Sequence, residues 1–180
     1  MNGKDIKEIL KTAISLFLIC AVAAGILAYV NSITAPTIAA NNAAAADEAR
    51  GQVLTGADAF EECTLSDGTV YYKATSGAQV IGYVFTTAGK GYGGDVEVMT
   101  GVDTEGKVTG ISILTINETP GLGMNAKKDS FRDQFTGRSG QLAVQKDGGE
   151  IVALTSATVT SRAVTAAVSK ALSLYESVDD

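Results

Sequence analysis

The sequence contains no histidine in its 180 residues. That absence excludes His-dependent triads, His-ligated zinc and a histidine general base, so any chemistry is carboxylate-based or carried by a cofactor. Cysteine is almost as scarce. Cys20 lies inside an apolar run and Cys63 in the polar region beyond it, an arrangement that gives neither a disulfide framework nor a metal cluster. Basic residues are outnumbered, 14 Lys and Arg against 20 Asp and Glu, and they gather into no basic face. A net charge of −6 therefore excludes a nucleic-acid partner. Also missing is a G-x-G-x-x-G fingerprint after a strand, which removes nicotinamide binding of that kind. With one long apolar run, the length leaves room for one anchor and one domain of ordinary size.

That run, Thr12 to Val30, is uncharged and close to the roughly 20 residues that span a bilayer as a helix. Lys4, Lys7 and Lys11 precede it, whereas no Lys or Arg follows until Arg50. The positive-inside rule then predicts a cytoplasmic N-terminus (1–11), a single membrane span (12–30), a stalk or linker (31–50) and an extracytoplasmic domain (51–180). The small residues Ala35, Ala39 and Ala40 would suit a cleavage site, but signal-peptide apolar regions run only about 7 to 15 residues, which favours an uncleaved anchor. Bulky Leu18 and Ile19 ahead of Cys20 argue against lipid attachment there, so Cys20 reads as membrane filling. The stretch from Asn31 to Ala46, broken by Pro36, is compatible with a stalk or with a helix.

Beyond Gly51 the pattern predicts an α+β domain. Short β-rich runs occur at Val70 to Lys73, Gln79 to Thr86, Asp95 to Val102 and Val108 to Ile116, separated by Gly, Ser and Asp turns, as in a mostly antiparallel sheet. The segment Asp103 to Lys107, with Gly106, predicts a hairpin that makes the last two runs neighbours. Helical patterning returns at Ser130 to Phe135 and at the C-terminus. There Val164, Ala167, Val168, Ala171, Leu172 and Tyr175 form one face to pack on the sheet.

Three stretches hold candidate functional residues. Lys90-Gly91-Tyr92-Gly93-Gly94 leads into a strand and, taken alone, is a turn with glycines that permit close approach. Glu118-Thr119-Pro120-Gly121-Leu122-Gly123 follows the most apolar run and, taken alone, ends a strand. The hydroxyl-rich Thr155-Ser156-Ala157-Thr158-Val159-Thr160-Ser161 precedes the last helix, where such side chains serve as caps.

In this order the three stretches resemble the FMN-binding domain shared by Rnf G subunits and the C subunit of sodium-pumping NADH:quinone reductase. The resemblance runs from about Tyr83 to Leu174, includes Val159 to Val164, and extends to the anchor. It implies FMN bound covalently through a phosphoester to Thr158, the threonine of an Asp-x-x-Ser/Thr-Gly-Ala-Thr pattern. Val152 stands at the Asp position of that pattern and Ser156 at the usual Gly. The resemblance further implies that Glu118 to Gly123 wall the flavin, with Leu122 at the ring, and that Tyr92, Gly93, Gly94, Thr155, Ser156, Ala157 and Thr160 complete the cofactor site. A helix N-terminus suits the phosphate. No catalytic residue and no metal ligand is expected.

The implied function is an electron-carrier subunit of a membrane-bound, ion-translocating ferredoxin:NAD+ oxidoreductase, with Rnf subunits A, B, C, D and E as partners and a flavin transferase for maturation. The short chain favours the Rnf subunit over the quinone-reductase one. Another flavinylated extracytoplasmic carrier, NqrC-like or feeding a reductase, fits the same residues. So does a cofactor-free adhesion domain on a membrane stalk.

Overall fold

The computed structural model describes residues 3–178, and the chain divides after Ala44 into two compact units. The first is made by helix α1, which runs Gly3–Val53 and so continues into the second unit. From Lys7 to Ala44 its side chains, Phe17, Ile19 and Leu27 among them, lie exposed, a state that water penalises and lipid does not. With a mean hydropathy of 2.5 over its most apolar window, α1 is long and apolar enough to cross a membrane. The run from Asn31 to Ala46, left open by the sequence, is helical, with Pro36 inside α1.

From Ala45 onward the second unit is a five-stranded antiparallel meander in the order β1-β2-β3-β4-β5. The strands are β1 (Ala59–Thr64), β2 (Val70–Ser76), β3 (Gln79–Lys90), β4 (Asp95–Asp103) and β5 (Val108–Thr115). Four of them begin at the expected residues. The hairpin also holds: Asp103 accepts at its side chain from the N–H groups of Glu105 and Lys107, each at 2.9 Å, and β4 pairs with β5. β1 escaped the sequence reading because AFEECT does not alternate cleanly and only its Phe60 and Cys63 are partly covered.

Side chains alternate across the sheet and supply two apolar layers. One face carries Tyr83, Phe85, Val96, Val98 and Val102. It is covered by helix α3 (Thr158–Tyr175), by the short helix α2 (Asp129–Arg132) and by the 3₁₀ turn Asp133–Phe135. The expected Ser130–Phe135 helix is thus one turn of α-helix tightened into 3₁₀, and it seats Phe131 and Phe135 edge-to-face at 5.6 Å. The opposite face, with Ala74, Val84 and Met99, receives Ala49 and Val53 from the end of α1 and Leu54 just past it. Gly101 permits that approach, since a Cβ there would collide with the Val53 carbonyl, and the Thr109 hydroxyl donates to the same carbonyl.

α3 lies close on β3 because the residues between them are small. Ala163, Ala167 and Ala171 form its buried stripe, and a Cβ at Gly89 would strike the Ala163 carbonyl. Thr87 donates its hydroxyl to the Ala167 carbonyl at 2.7 Å. Further along, Tyr175 packs on Tyr83 with centroids 5.6 Å apart and donates its phenol to the Thr104 carbonyl at 2.9 Å.

Candidate functional site

These pairings fix the direction of α3. Ala163 faces Gly89 at the end of β3, whereas Tyr175 faces Tyr83 near its start, so α3 runs antiparallel to β3 and its N-terminus meets the β3–β4 turn. β3 and β5 both run antiparallel to β4, so β5 also finishes at this end of the sheet. The glycine turn after β3, the segment after β5 and the first turn of α3 therefore converge, although they are distant in sequence.

Contacts between the segments are specific. Glu118, just past β5, accepts at Oε1 from the backbone N–H of Tyr92 (2.7 Å) and of Gly93 (3.3 Å). Asn117 adds a bond from Nδ2 to the Gly93 carbonyl, 3.4 Å. Gly93 is required by this closeness: a Cβ would enter the Asn117 carbonyl oxygen. Gly123 does the same on the other side, where an added Cβ would stand 2.7 Å from the Thr160 Oγ1 and 2.7 Å from the Glu118 Cβ. The 3₁₀ turn Gly123–Lys127 thus rests against α3.

What these segments enclose is an open cleft of ≈ 510 Å³, inside the range of small-molecule sites. Tyr92, Glu118, Thr119, Leu122 and Gly123 line one part of it. Ser156, Ala157, Thr158 and Thr160 line the other, together with Val159, which the resemblance does not number among the cofactor-site residues. Tyr92 stands out at the rim, 81% exposed, and Leu122 and Val159 are about half as open. Of the other expected residues, Pro120 and Gly121 shape the turn ahead of Leu122, Gly94 closes the glycine turn by accepting from Gly91 N–H at 2.9 Å, and Thr155 is exposed and does not line the cleft.

At the start of α3 the hydroxyls do not cap the helix. The N-cap is Ala157, whose methyl side chain has no oxygen to accept from the first-turn N–H groups. The turn leading into it is closed by Ala157 N–H donating to the Leu154 carbonyl at 3.1 Å, with Ser156 at its third position and φ 60°. Buried Ser161 does the tying instead: its Oγ accepts from Leu154 N–H and donates to the Ala157 carbonyl, each at 2.9 Å. The Val152 backbone is held by the Gln134 amide, which accepts from its N–H (2.8 Å) and donates to its carbonyl (3.3 Å). The Val152 side chain itself is exposed and does not line the cleft.

Thr158, half-buried, is free of any capping duty. Its Oγ1 accepts from Lys146 Nζ at 3.1 Å. One turn later Arg162 grips Asp147 through two bonds of 2.6 Å, and this guanidinium holds the Asp147 carboxyl below its ordinary value. Lys146 and Asp147 belong to the 3₁₀ turn Gln145–Asp147. Neither drew notice in the sequence, since nothing local in Gln145-Lys146-Asp147-Gly148-Gly149 separates a solvated turn from one docked on a helix.

The arrangement offers a half-buried threonine whose hydroxyl sits beside a cation, at the positive end of an 18-residue helix, in the lining of an open cleft. It is suited to a phosphate and a flat ring. Comparison with known proteins points the same way. Residues 91–173 match the FMN-binding domain family and residues 1–53 match the RnfG N-terminal region. The G subunit of the Na(+)-translocating ferredoxin:NAD(+) oxidoreductase complex of Acetobacterium woodii is 37% identical over 97% of this chain and 95% of its own. The G subunit of the proton-translocating ferredoxin:NAD(+) oxidoreductase complex of Clostridium ljungdahlii is 38% identical over 95% and 94%.

The chain belongs to the Rnf G-subunit family. It carries an FMN-binding domain behind one apolar helix, as expected of a component of a membrane complex. The fold also resembles the C subunit of the Na(+)-translocating NADH-quinone reductase of Parabacteroides distasonis, with a TM-score of 0.51 and 24% identity over 60% of this chain and 61% of that one. That likeness concerns architecture alone. It matches the mostly antiparallel sheet with packed helices read from the sequence.

Proposed function

We propose that this chain is the electron-carrying G subunit of an Rnf-type, ion-translocating ferredoxin:NAD+ oxidoreductase complex, and that its FMN is held by a phosphoester to Thr158. The observation that carries the reading is that Thr158, with Lys146 on its hydroxyl, lines the same cleft as Tyr92 of the β3–β4 turn and Glu118, Thr119, Leu122 and Gly123 of the segment after β5. Names of relatives similar over nearly the whole chain supply the complex.

The residues present fit the group. Gly93 lets the β3–β4 turn close onto Asn117 and Gly123 lets the cleft wall close onto Thr160, and the first turn of α3, which Thr158 opens, has backbone N–H groups without intrahelical partners that suit a phosphate there. Tyr92, Leu122 and Val159 offer apolar surface for a ring. When bound, FMN supplies the centre that accepts and passes on electrons, while the protein positions and tunes it. Glu118 organises the wall by fixing the Tyr92–Gly93 backbone, and the small-residue contact between α3 and β3 keeps Thr158 in place.

Lys4, Lys7 and Lys11 favour a cytoplasmic N-terminus with the flavin domain outside, and the relatives' names favour Rnf subunits A, B, C, D and E as its partners. There, a noncovalent cofactor would be lost once its free concentration fell below its dissociation constant, and an ester removes that dependence. A flavin transferase is the partner that installs it.

The test is mass spectrometry of the denatured chain after co-expression with a flavin transferase. The wild type is expected to gain the mass of FMN less one water, mapped to the peptide holding Thr158, and Thr158→Ala to gain none while keeping its fold. An adduct on another residue, or one retained in Thr158→Ala, refutes the site. A wild type that never carries flavin, under conditions where a known acceptor does, refutes the redox function.

A further inference from the structure

Lys146 makes an unusual choice of partner. Its sequence neighbour Asp147 offers a carboxylate, but both oxygens of that group are taken by Arg162. Lys146 enters no ion pair among the described residues, and its one hydrogen bond goes to a neutral hydroxyl, that of Thr158. A lysine ammonium held on a neutral acceptor keeps its full charge while giving up side-chain freedom, a combination that solvation alone does not favour.

The turn presenting it is tightly determined. Gln145 N–H donates to the Ile151 carbonyl at 2.8 Å, Asp147 N–H to the Val144 carbonyl at 2.8 Å and Gly149 N–H to the same carbonyl at 3.1 Å. Gly148 closes the turn at φ 85°, and a Cβ at Gly149 would collide with the Ala143 carbonyl. The Asp147–Arg162 fork then binds this turn to α3 one helical turn beyond Thr158. The ammonium is thus brought to the Thr158 oxygen by a braced loop.

We infer that Lys146 is the positioning cation of the flavin phosphate: it fixes the Thr158 oxygen in place before attachment and becomes the counter-ion of the phosphodiester afterward. This rests on the proposed ester at Thr158. A phosphodiester carries one negative charge, and an ammonium beside it gains a charge-assisted bond in place of a neutral one. α3 adds the favourable end of its dipole from the other side. Arg162, committed to Asp147, braces the loop and leaves the phosphate to Lys146.

The test uses the full chain in detergent, co-expressed with a flavin transferase, in wild-type, Lys146→Met and Lys146→Arg forms. Two quantities are read: the labelled fraction at short expression times, by mass of the denatured chain, and the phosphorus NMR resonance of the labelled protein, folded and in denaturant. Lys146→Met is expected to lower early labelling about five- to tenfold, in line with loss of one partly exposed charge-assisted bond. Lys146→Arg should recover most of it. Labelled Lys146→Met should differ from wild type in its folded phosphorus resonance, and the two should coincide once denatured.

Equal labelling and equal folded resonances in wild type and Lys146→Met overturn the inference and leave Lys146 a solvated surface lysine, with the Thr158 ester intact. A loss in Lys146→Arg as deep as in Lys146→Met, with an unshifted resonance, also overturns it, because the loop and not the charge would then matter. If the wild type carries its flavin elsewhere or not at all, the reading of Thr158 falls first and this inference with it.

Discussion

Ser156 is expected to strain the turn that launches α3, and replacing it by glycine should relieve the strain. Among the described residues it is the single non-glycine with positive φ, at 60°, in the third position of a turn where a left-handed residue is needed. An L-residue in that region gives up roughly 1–2 kcal/mol, because its Cβ crowds the following carbonyl. The Ser156 hydroxyl makes no hydrogen bond that would offset this, and the side chain is exposed, so Ser156→Gly loses no packing. Against the gain stands the added freedom of glycine in the unfolded chain, about 0.4–1 kcal/mol. The net is a stabilisation of about 0.5–1 kcal/mol, or a rise of roughly 2–4 °C per kcal/mol in melting temperature for a domain of this size. Urea unfolding of the full chain in detergent, followed by circular dichroism, measures it with the denaturant slope expected to be unchanged. Ser156→Ala keeps a Cβ and should match wild type; Ser156→Val, branched at that Cβ, should fall below it. The reasoning is refuted if Ser156→Gly is the least stable of the four, or if alanine stabilises as much as glycine.

Three further outcomes follow from the same geometry. Leu122→Ala, at the cleft wall, should shift the absorption or midpoint potential of the bound flavin without releasing it; identical optical and redox behaviour would remove Leu122 from the ring. Asp147 is held below its ordinary value of 3.8, chiefly by the bonds from Arg162 and further by the Arg162 and Lys146 charges. Its folded-state pKa is depressed, so its contribution to stability is complete above about pH 4 and disappears as pH falls through the lower folded value. The stability difference between wild type and Asp147→Asn should therefore be constant near neutrality and shrink in acid, and a difference that grows in acid contradicts the pairing. Protease added to spheroplasts should remove the flavin domain, whereas complete protection would reverse the orientation drawn from the N-terminal lysines.

Much of the fold was legible because hydrophobic period and glycine placement act locally. β2 to β5 are rich enough in β-branched and aromatic residues between their turns for their first residues to be read, though not their ends, and Val164, Ala167, Val168, Ala171 and Leu172 do form the buried face of α3. β1 was not legible, because an edge strand paired on one side and thinly covered carries little apolar signal. The 3₁₀ character around Phe135 was equally hidden, since two aromatics four residues apart read as helix whichever way the turn is wound.

The site divides along the same line. Gly93 and Gly123 were legible as glycines, but the reason for them is tertiary: each faces the backbone or side chain of a segment 24 or more residues away, Asn117 for the first and Thr160 for the second. The hydroxyls ahead of α3 looked alike in sequence, and packing gave them different work. Ser161 turned inward to tie Leu154 to Ala157, Thr165 bonded back to the Ser161 carbonyl, and Thr158 was left facing the cleft with a lysine on its oxygen. A hydroxyl that braces the helix cannot also be offered to a ligand without loosening it. In this first turn the bracing falls to a buried serine three residues on, which leaves Thr158 exempt from structural duty and free for chemistry.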